Sequence, residues 1–315
     1  MTAQAASLVF VGGLMLDSIA AVSRFPGADE RVLADQIVQA GGGPASTAAV
    51  AAARLGVPDV AFAGTVGRDG VGARLIDELV AEGIDVSGVT GLPGVTTGAS
   101  VIVVDLAAGS RSISALPGPG VQLNEAAVAL IRGARWVHVD HIGWPALSGL
   151  IGPLDANDAR SPLRPAVSVD ISYDVPGFHP AGADLYAPNI QALARRYAPG
   201  ELEPGEENID RLLELALGDG ARRVVVTRGS AGSNVATADG LRGRIPAHRA
   251  DINSTLGAGD VFHGALLAAV DRGEDLMSAM QYAGVVAALS CRGLDGRSAI
   301  PSHEETLTEL TTTVT

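Results

Sequence analysis

The sequence predicts an α/β fold: a doubly wound, mostly parallel sheet with helices on both faces, plus a small β-sheet lid. Three observations predict it. Short apolar runs alternate with helical segments along most of the chain. The clearest helices open on Pro or close on Gly, as free helix ends do. Two stretches, at about 15–40 and 95–116, break the alternation with β-like pattern and no helix between. Strands separated by helices run parallel and are covered on both faces. The 315 residues, 47% of them apolar, suffice for one core, so 1–315 reads as a single domain.

The elements follow in order. Ser7–Val11 is an apolar run ending at Gly12-Gly13, a buried first strand. Pro44–Leu55 is an alanine-rich helix with Pro near its start and Gly56 past its end. Val60–Val66 is a strand, and Val71–Glu82 a helix closed by Gly83. Ala99–Asp105, Gly109 and Arg111–Ala115 read as a hairpin. Asn124–Arg132 is helical, Trp136–Val139 and Ala166–Asp170 are strands, Ile209–Leu217 is a helix and Arg223–Thr227 a strand. The chain ends in helices at Ala258–Arg272, Leu276–Arg292 and Glu304–Leu310.

Composition excludes several function classes. All 22 basic residues are Arg, so there is no P-loop lysine, Schiff-base lysine or protein-kinase ATP lysine. Phosphate must be held by backbone N–H groups, helix N-termini, Arg and a metal. A net charge of −13 argues against nucleic acid and anionic membranes as partners. Aromatic residues make up 3%, too few for a base-stacking platform. The one cysteine, Cys291, allows no intrachain disulfide, as expected of a cytoplasmic protein. The charge-free stretches 1–16 and 276–291 contain polar or Gly positions and read neither as a signal peptide nor as a membrane span.

Three motifs carry chemistry. Gly257-Ala258-Gly259-Asp260 opens a helix, where unpaired N–H groups and the positive end of the helix dipole suit an anion. Asp260 reads either as a stabilising first-turn charge or as a carboxylate base beside a phosphate cradle. Gly41-Gly42-Gly43 precedes the Pro44 helix. It is a flexible connection, or else a backbone surface for a polyol with Ser46 as donor. Asp17, after the first strand, is a turn residue or an acceptor for two sugar hydroxyls.

Five segments in order resemble the ribokinase-like (PfkB) family of carbohydrate kinases: VGGLMLD, GGGPASTAAVAAARLG, GTVGRDGVGARL, VTRGSAGS and STLGAGDVFHGALLA. The resemblance spans nearly the whole chain. It implies ATP and Mg²⁺, a sugar acceptor and a cytoplasmic enzyme. Asp260 would be the catalytic base, with Gly257, Ala258 and Gly259 as the anion hole. Asp17, Gly42, Gly43 and Ser46 would hold the sugar; Thr227, Gly229, Gly232 and Asn189 would serve the nucleotide. The family also implies a homodimer through the β lid. Within it the chain looks most similar to the sulfofructose kinase branch, through GGGPA, GSAG and GAGDVFHGAL. That branch implies an anionic hexose derivative or sugar phosphate, for which Arg31 and Arg111, on the two lid stretches, are the candidate cations. A nucleoside kinase on the same fold and a non-catalytic sugar-binding relative are the alternatives.

Three positions depart from the family. Ser46 stands where Asn is common, which shortens one sugar contact. Asn189 is followed at the third position by Ala192 instead of Glu, which leaves the metal ligands unassigned. Ser254 replaces an Asp associated with a monovalent-cation site, which argues against potassium activation. His138-x-Asp140-His141 has two potential zinc ligands on one face but lacks a third, so a pocket-edge or buried role is the expectation. His263 is expected to pack or cap.

Overall fold

The computed structural model describes residues 8–152, 165–173, 175–200 and 206–312. The chain starts in the large sheet with β1 (Leu8–Gly12) and enters a smaller sheet with β2 (Met15–Val22) and β3 (Ala34–Gly42). It returns through α1 (Pro44–Arg54), β4 (Val60–Gly67), α2 (Gly70–Ala81) and β5 (Asp85–Leu92). The strands β6 (Gly98–Asp105) and β7 (Ser110–Leu116) complete the small sheet. Next come α3 (Glu125–Gly133), β8 (Trp136–Asp140), α4 (Trp144–Ile151), β9 (Ala166–Asp170) and β10 (Leu185–Tyr186). Then follow α5 (Ile190–Tyr197), α6 (Glu206–Gly218), β11 (Arg223–Thr227), β12 (Ser233–Thr237) and β13 (Arg242–Ile245). The last three helices are α7 (Ala258–Asp271), α8 (Leu276–Ser290) and α9 (His303–Thr312). Ser7, the expected first residue of the first strand, lies outside the described residues.

The large sheet has the order β13-β12-β11-β10-β9-β8-β1-β4-β5. Every pair from β11 to β5 is parallel, while β12 and β13 are antiparallel to their neighbours. β1 shows why the sheet is covered on both faces. Successive side chains point to opposite sides of a strand. Leu8 and Phe10 join one core with α1, α2, α7 and α8, whereas Val9 and Val11 join a second core with α3 to α6. The Pro-in, Gly-out reading of α1 holds, with Pro44 at its first position. Asp69, Asn124 and Asp275 cap α2, α3 and α8 by accepting first-turn N–H groups.

The small sheet has the order β3-β2-β6-β7. Its strands come from 15–42 and 98–116, with β2 and β6 pairing in parallel at its centre. Ile19, Ile102 and Val104 on its inner face pack with Val38, Leu256 and Leu294. Those contacts seat it beside the loop that starts α7. Two helices escape the sequence reading, α4 and α5; at eight residues each, they are too short for a periodic signal. β10, two residues long, gives no signal at all.

Helices α1 and α7 pack through small residues. A Cβ on Gly264 would lie 2.2 Å from the Ala48 carbonyl oxygen, so this glycine is what allows the two backbones to approach. The N-termini of both helices therefore lie beside the C-terminal ends of the central strands. That is where ligands bind in open α/β sheets. Among the described residues no helix is long and apolar enough to cross a membrane.

Candidate active site

β8 and β9 run in register and end in paired carboxylates, Asp140 opposite Asp170. Asp140 is fully buried and accepts four backbone N–H groups: Gly13 at 2.9 Å, Ala45 at 3.1 Å, Ile142 at 2.9 Å and Gly143 at 2.8 Å. Burial raises its carboxyl above the ordinary value, and the charge of His141 and these N–H donors pull the other way. Asp140 ties the end of β1 to the starts of α1 and α4. Gly12 is small for the same reason, since a Cβ there would lie 2.2 Å from Asp140 Oδ2.

The residues expected to hold the sugar lie on β2, at the end of β3 and at the start of α1. Asp17 faces Gly42, whose missing Cβ would sit 2.0 Å from Asp17 Oδ2. Burial raises the Asp17 carboxyl above its ordinary value, and the Ser100 hydroxyl and the charge of Arg297 pull the other way. Gly43 caps α1 with φ of 106°, a conformation few other residues tolerate. Ser46 is not the free sugar donor the sequence suggested. It is fully buried, and its hydroxyl donates to the Gly42 carbonyl at 2.8 Å. It accepts in turn from Arg297 Nη2 at 2.8 Å.

Arg297 comes from the segment before α9 and was not singled out from sequence. It is 7% exposed and also donates to the Gly42 carbonyl and the Thr47 hydroxyl, both at 3.3 Å. Burial lowers its guanidinium to about 10, opposed by Glu78, Asp17, Glu82 and Asp295. At neutral pH it is a cation holding the glycine loop from behind.

The residues expected to face the phosphoryl group form the start of α7. Gly257 caps the helix in the left-handed region, φ 74°, and a Cβ there would lie 2.7 Å from Gly296 Cα. Ala258 N–H makes a long 3.4 Å bond to the Thr255 carbonyl, so the three N–H groups expected to be free are not equivalent. Gly259 faces open space. Its N–H and that of Asp260 have no helical acceptor, as first-turn position dictates. Asp260 sits in that turn with its carboxyl raised to about 7. Burial is the main cause, the charge of Asp170 adds to it, and His263 opposes; Asp140 and Asp17 also raise it. Asp17, Asp140, Asp170 and Asp260 therefore converge on one place.

The remaining predicted residues divide. Thr227 ends β11 and pairs with Asn189 through an isolated parallel bridge, which brings those two together. Gly229 and Gly232 flank a 3₁₀ turn with φ of 56° and 88°. The Asn189 side chain is occupied as the cap of α5, accepting from Ala192 N–H at 2.8 Å. Arg111 lies on the inner face of the small sheet but reaches Thr255 Oγ1 at 2.7 Å, four residues along β6 from the Ser100 level of Asp17. Arg31 is exposed in the turn between β2 and β3. Neither arginine is brought to Asp17.

His138 is buried, with Nδ1 3.1 Å from Ser168 Oγ, but its Nε2 has no hydrogen-bond partner among the described residues, so it is only half satisfied. No group of three or more His, Cys, Asp or Glu side chains poised for a metal occurs among the described residues. The residues that sequence reasoning missed are Asp170 and Arg297. Asp170 had a readable signal, since it ends an apolar strand just as Asp140 does. Arg297 had none.

A model of the pfkB family carbohydrate kinases matches residues 5–148 and 181–303. The ribokinase of Schizosaccharomyces pombe is 24% identical over 308 residues, covering 94% of this chain and 95% of its own. That of Bacillus subtilis is 25% identical over 300 residues, covering 95% and 97%. Among solved structures, Arabidopsis thaliana ribokinase complexed with ribose and ATP superposes with a TM-score of 0.81 at 23% identity, covering 98% of this chain and 99% of that one.

Proposed function

Because the chain belongs to the pfkB family of carbohydrate kinases, we propose that it moves the terminal phosphoryl group of ATP, carried with Mg²⁺, to a hydroxyl of a neutral sugar, with Asp260 as the base. One observation carries this reading: a half-buried carboxylate in the first turn of α7, raised to about 7, beside N–H groups without acceptors. A carboxyl raised to about 7 is matched to taking a hydroxyl proton near neutral pH. The free N–H groups and the helix dipole face the charge that develops on the transferred group.

Asp17 and Gly42 would receive the sugar, with Gly43 shaping the loop and Ser46 and Arg297 bracing it from behind. Thr227, Gly229 and Gly232 would line the nucleotide, with Asn189 holding α5 next to Thr227. Mg²⁺ comes as part of the nucleotide substrate, where phosphates and water supply most of its ligands.

The acceptor is read as neutral because the groups facing Asp260 are three acids and one imidazole, whereas Arg31 and Arg111 lie elsewhere. An anionic sugar would meet like charge there without a paired cation. Ribose, which the Arabidopsis relative binds, is the first sugar to test. Asp260→Asn should lower kcat about 10²–10⁴-fold with the fold intact. Retention of more than about a third of kcat would remove Asp260 from this role. In an ADP-release assay, kcat/KM should be higher for a neutral pentose or hexose than for any 6-phospho- or 6-sulfo-sugar, and the reverse order would overturn the acceptor class.

The outer face of the small sheet supports a homodimer. Ile37, Val101 and Leu116 share it, at 71%, 60% and 56% exposure, opposite the face that carries Asp17. Such a patch is costly on a monomer. Light scattering should give twice the chain mass for the wild type and the chain mass for Val101→Glu; a monomeric wild type would sink the dimer.

A further inference from the structure

Beneath Asp260 lies a buried cluster that the reaction as described does not use. His263 is one turn further along α7, and its Nδ1 is 3.1 Å from Asp170 Oδ2. Both side chains are 4% exposed. The contact is an ion pair without an aligned hydrogen bond, and His263 Nε2 has no partner among the described residues. Charge, more than hydrogen bonding, therefore decides whether His263 keeps a second proton. A second imidazole, His138, stands 5.5 Å away, ring centre to ring centre.

The two histidines are shifted in opposite directions. Burial, together with the neighbouring His263, pushes His138 down to about 3. Burial pushes His263 down as well, but Asp170 outweighs it, with help from Asp260, and raises His263 above its ordinary value. Burial would raise Asp170, yet His263 and the Ser172 hydroxyl hold it below the usual carboxylate range. The charged groups that face Asp260 come from four elements: Asp170 on β9, His263 on α7 itself, Asp140 on β8 and Asp17 on β2. Three are acids and one is a base. Closely placed like charges cannot all ionise without a counter-charge.

On the reading that Asp260 is the base, we propose that His263 is its positioning residue: held as an imidazolium by Asp170, it shields Asp260 from the second carboxylate and keeps the base ionised until the acceptor hydroxyl arrives. No atom of the substrate touches His263 in this role; it acts through the charge state of Asp260.

The test compares wild type, His263→Asn, and the double variant His263→Asn with Asp170→Asn, reading kcat/KM for the sugar from pH 5.5 to 9.5. In the single variant Asp170 is left unshielded. Its acid limb should move up by about one pH unit, a loss of about tenfold at pH 6.5 that recovers at pH 9. Removing Asp170 as well should return the limb towards the wild-type position. A limb that stays put in His263→Asn overturns the proposal, as does a pH-independent loss that the double variant does not relieve.

Should His263→Asn fail to fold, nitrogen NMR of the histidines in the wild-type protein decides the matter. At pH 7.5 the His263 ring should carry both protons and the His138 ring one; a singly protonated His263 overturns the proposal. The two readings fail separately. An active Asp260→Asn defeats the base assignment, whereas an inactive Asp260→Asn with an unmoved limb defeats only the role of His263.

Discussion

The proposed acceptor end and the proposed nucleotide end of the site are built from different materials. Around Asp260 the chain gathers buried and half-buried ionisable groups from four elements, held by N–H donors, a hydroxyl or an opposite charge. Around Thr227 to Gly232 it uses backbone shape, a 3₁₀ turn with two left-handed glycines and no buried charge in the turn itself. Buried charges set reactivity, because each changes the protonation of its neighbours. Backbone shape sets fit, because it decides how closely a phosphate or ribose can approach. Substitutions at the first end should therefore change kcat, pH dependence and stability, and those at the second should change KM for ATP.

The largest expected effect breaks the charged end outright. Asp140→Ala strands four buried N–H groups and should cost about 3 kcal/mol or more. Urea unfolding would measure it, and a cost under about 1 kcal/mol would show that the hub is dispensable.

Next is a gain. The Asp260 carboxyl takes its proton near pH 7 when folded and near its ordinary value of 3.8 when unfolded. Between those values the folded state binds more protons, so stability from this group is present at low pH and is lost as pH rises towards 7. Asp260→Asn removes that loss. It should raise stability by about 2–4 kcal/mol at pH 8 and by much less at pH 4, seen as a Tm shift that grows with pH. The wild-type kcat/KM should fall as pH drops through about 7, and a flat profile from 5.5 to 8 would contradict the raised carboxyl.

At the other end, Gly232→Ala forces a side chain onto a φ of 88°, with its Cβ 2.1 Å from the Ile245 carbonyl oxygen. KM for ATP should rise about tenfold or more, with kcat changed less than threefold. Equal losses in both would erase the contrast between the two ends. The smallest effect belongs to Arg111→Ala. This exposed residue makes one hydrogen bond to Thr255, so KM for the sugar should change less than about threefold. A tenfold rise confined to an anionic sugar would restore the acceptor class implied by the branch resemblance.

Legibility in the sequence follows the same division. The glycine runs at 41–43 and 257–259 were readable because close approach and helix starts need small residues at fixed spacing. Five strands of the large sheet, β1, β4, β8, β9 and β11, were readable from their apolar runs, whereas β5, β12 and β13 were not. The inward turn of the Ser46 hydroxyl was not, because it depends on Arg297, 251 residues away in the chain. The His263–Asp170 pair was hidden for the same reason: the strand and the helix that bring it together are unrelated in local pattern. The reach of Arg111 to Thr255, and so away from Asp17, is set by strand register, which composition does not encode.

The seam between α1 and α7 fixes a length. One helix starts at the glycine loop of the acceptor end and the other starts at Asp260, and Gly264 brings them together with no side chain between. Their packing works as a caliper whose jaws are the two helix starts. Because the jaws share one close-packed hinge-free contact, the gap between acceptor and phosphoryl donor cannot be adjusted by sliding them. A chain with Ala at 264 would have to open the caliper, and the penalty would appear as misplaced reactants about one helical turn from the new methyl group.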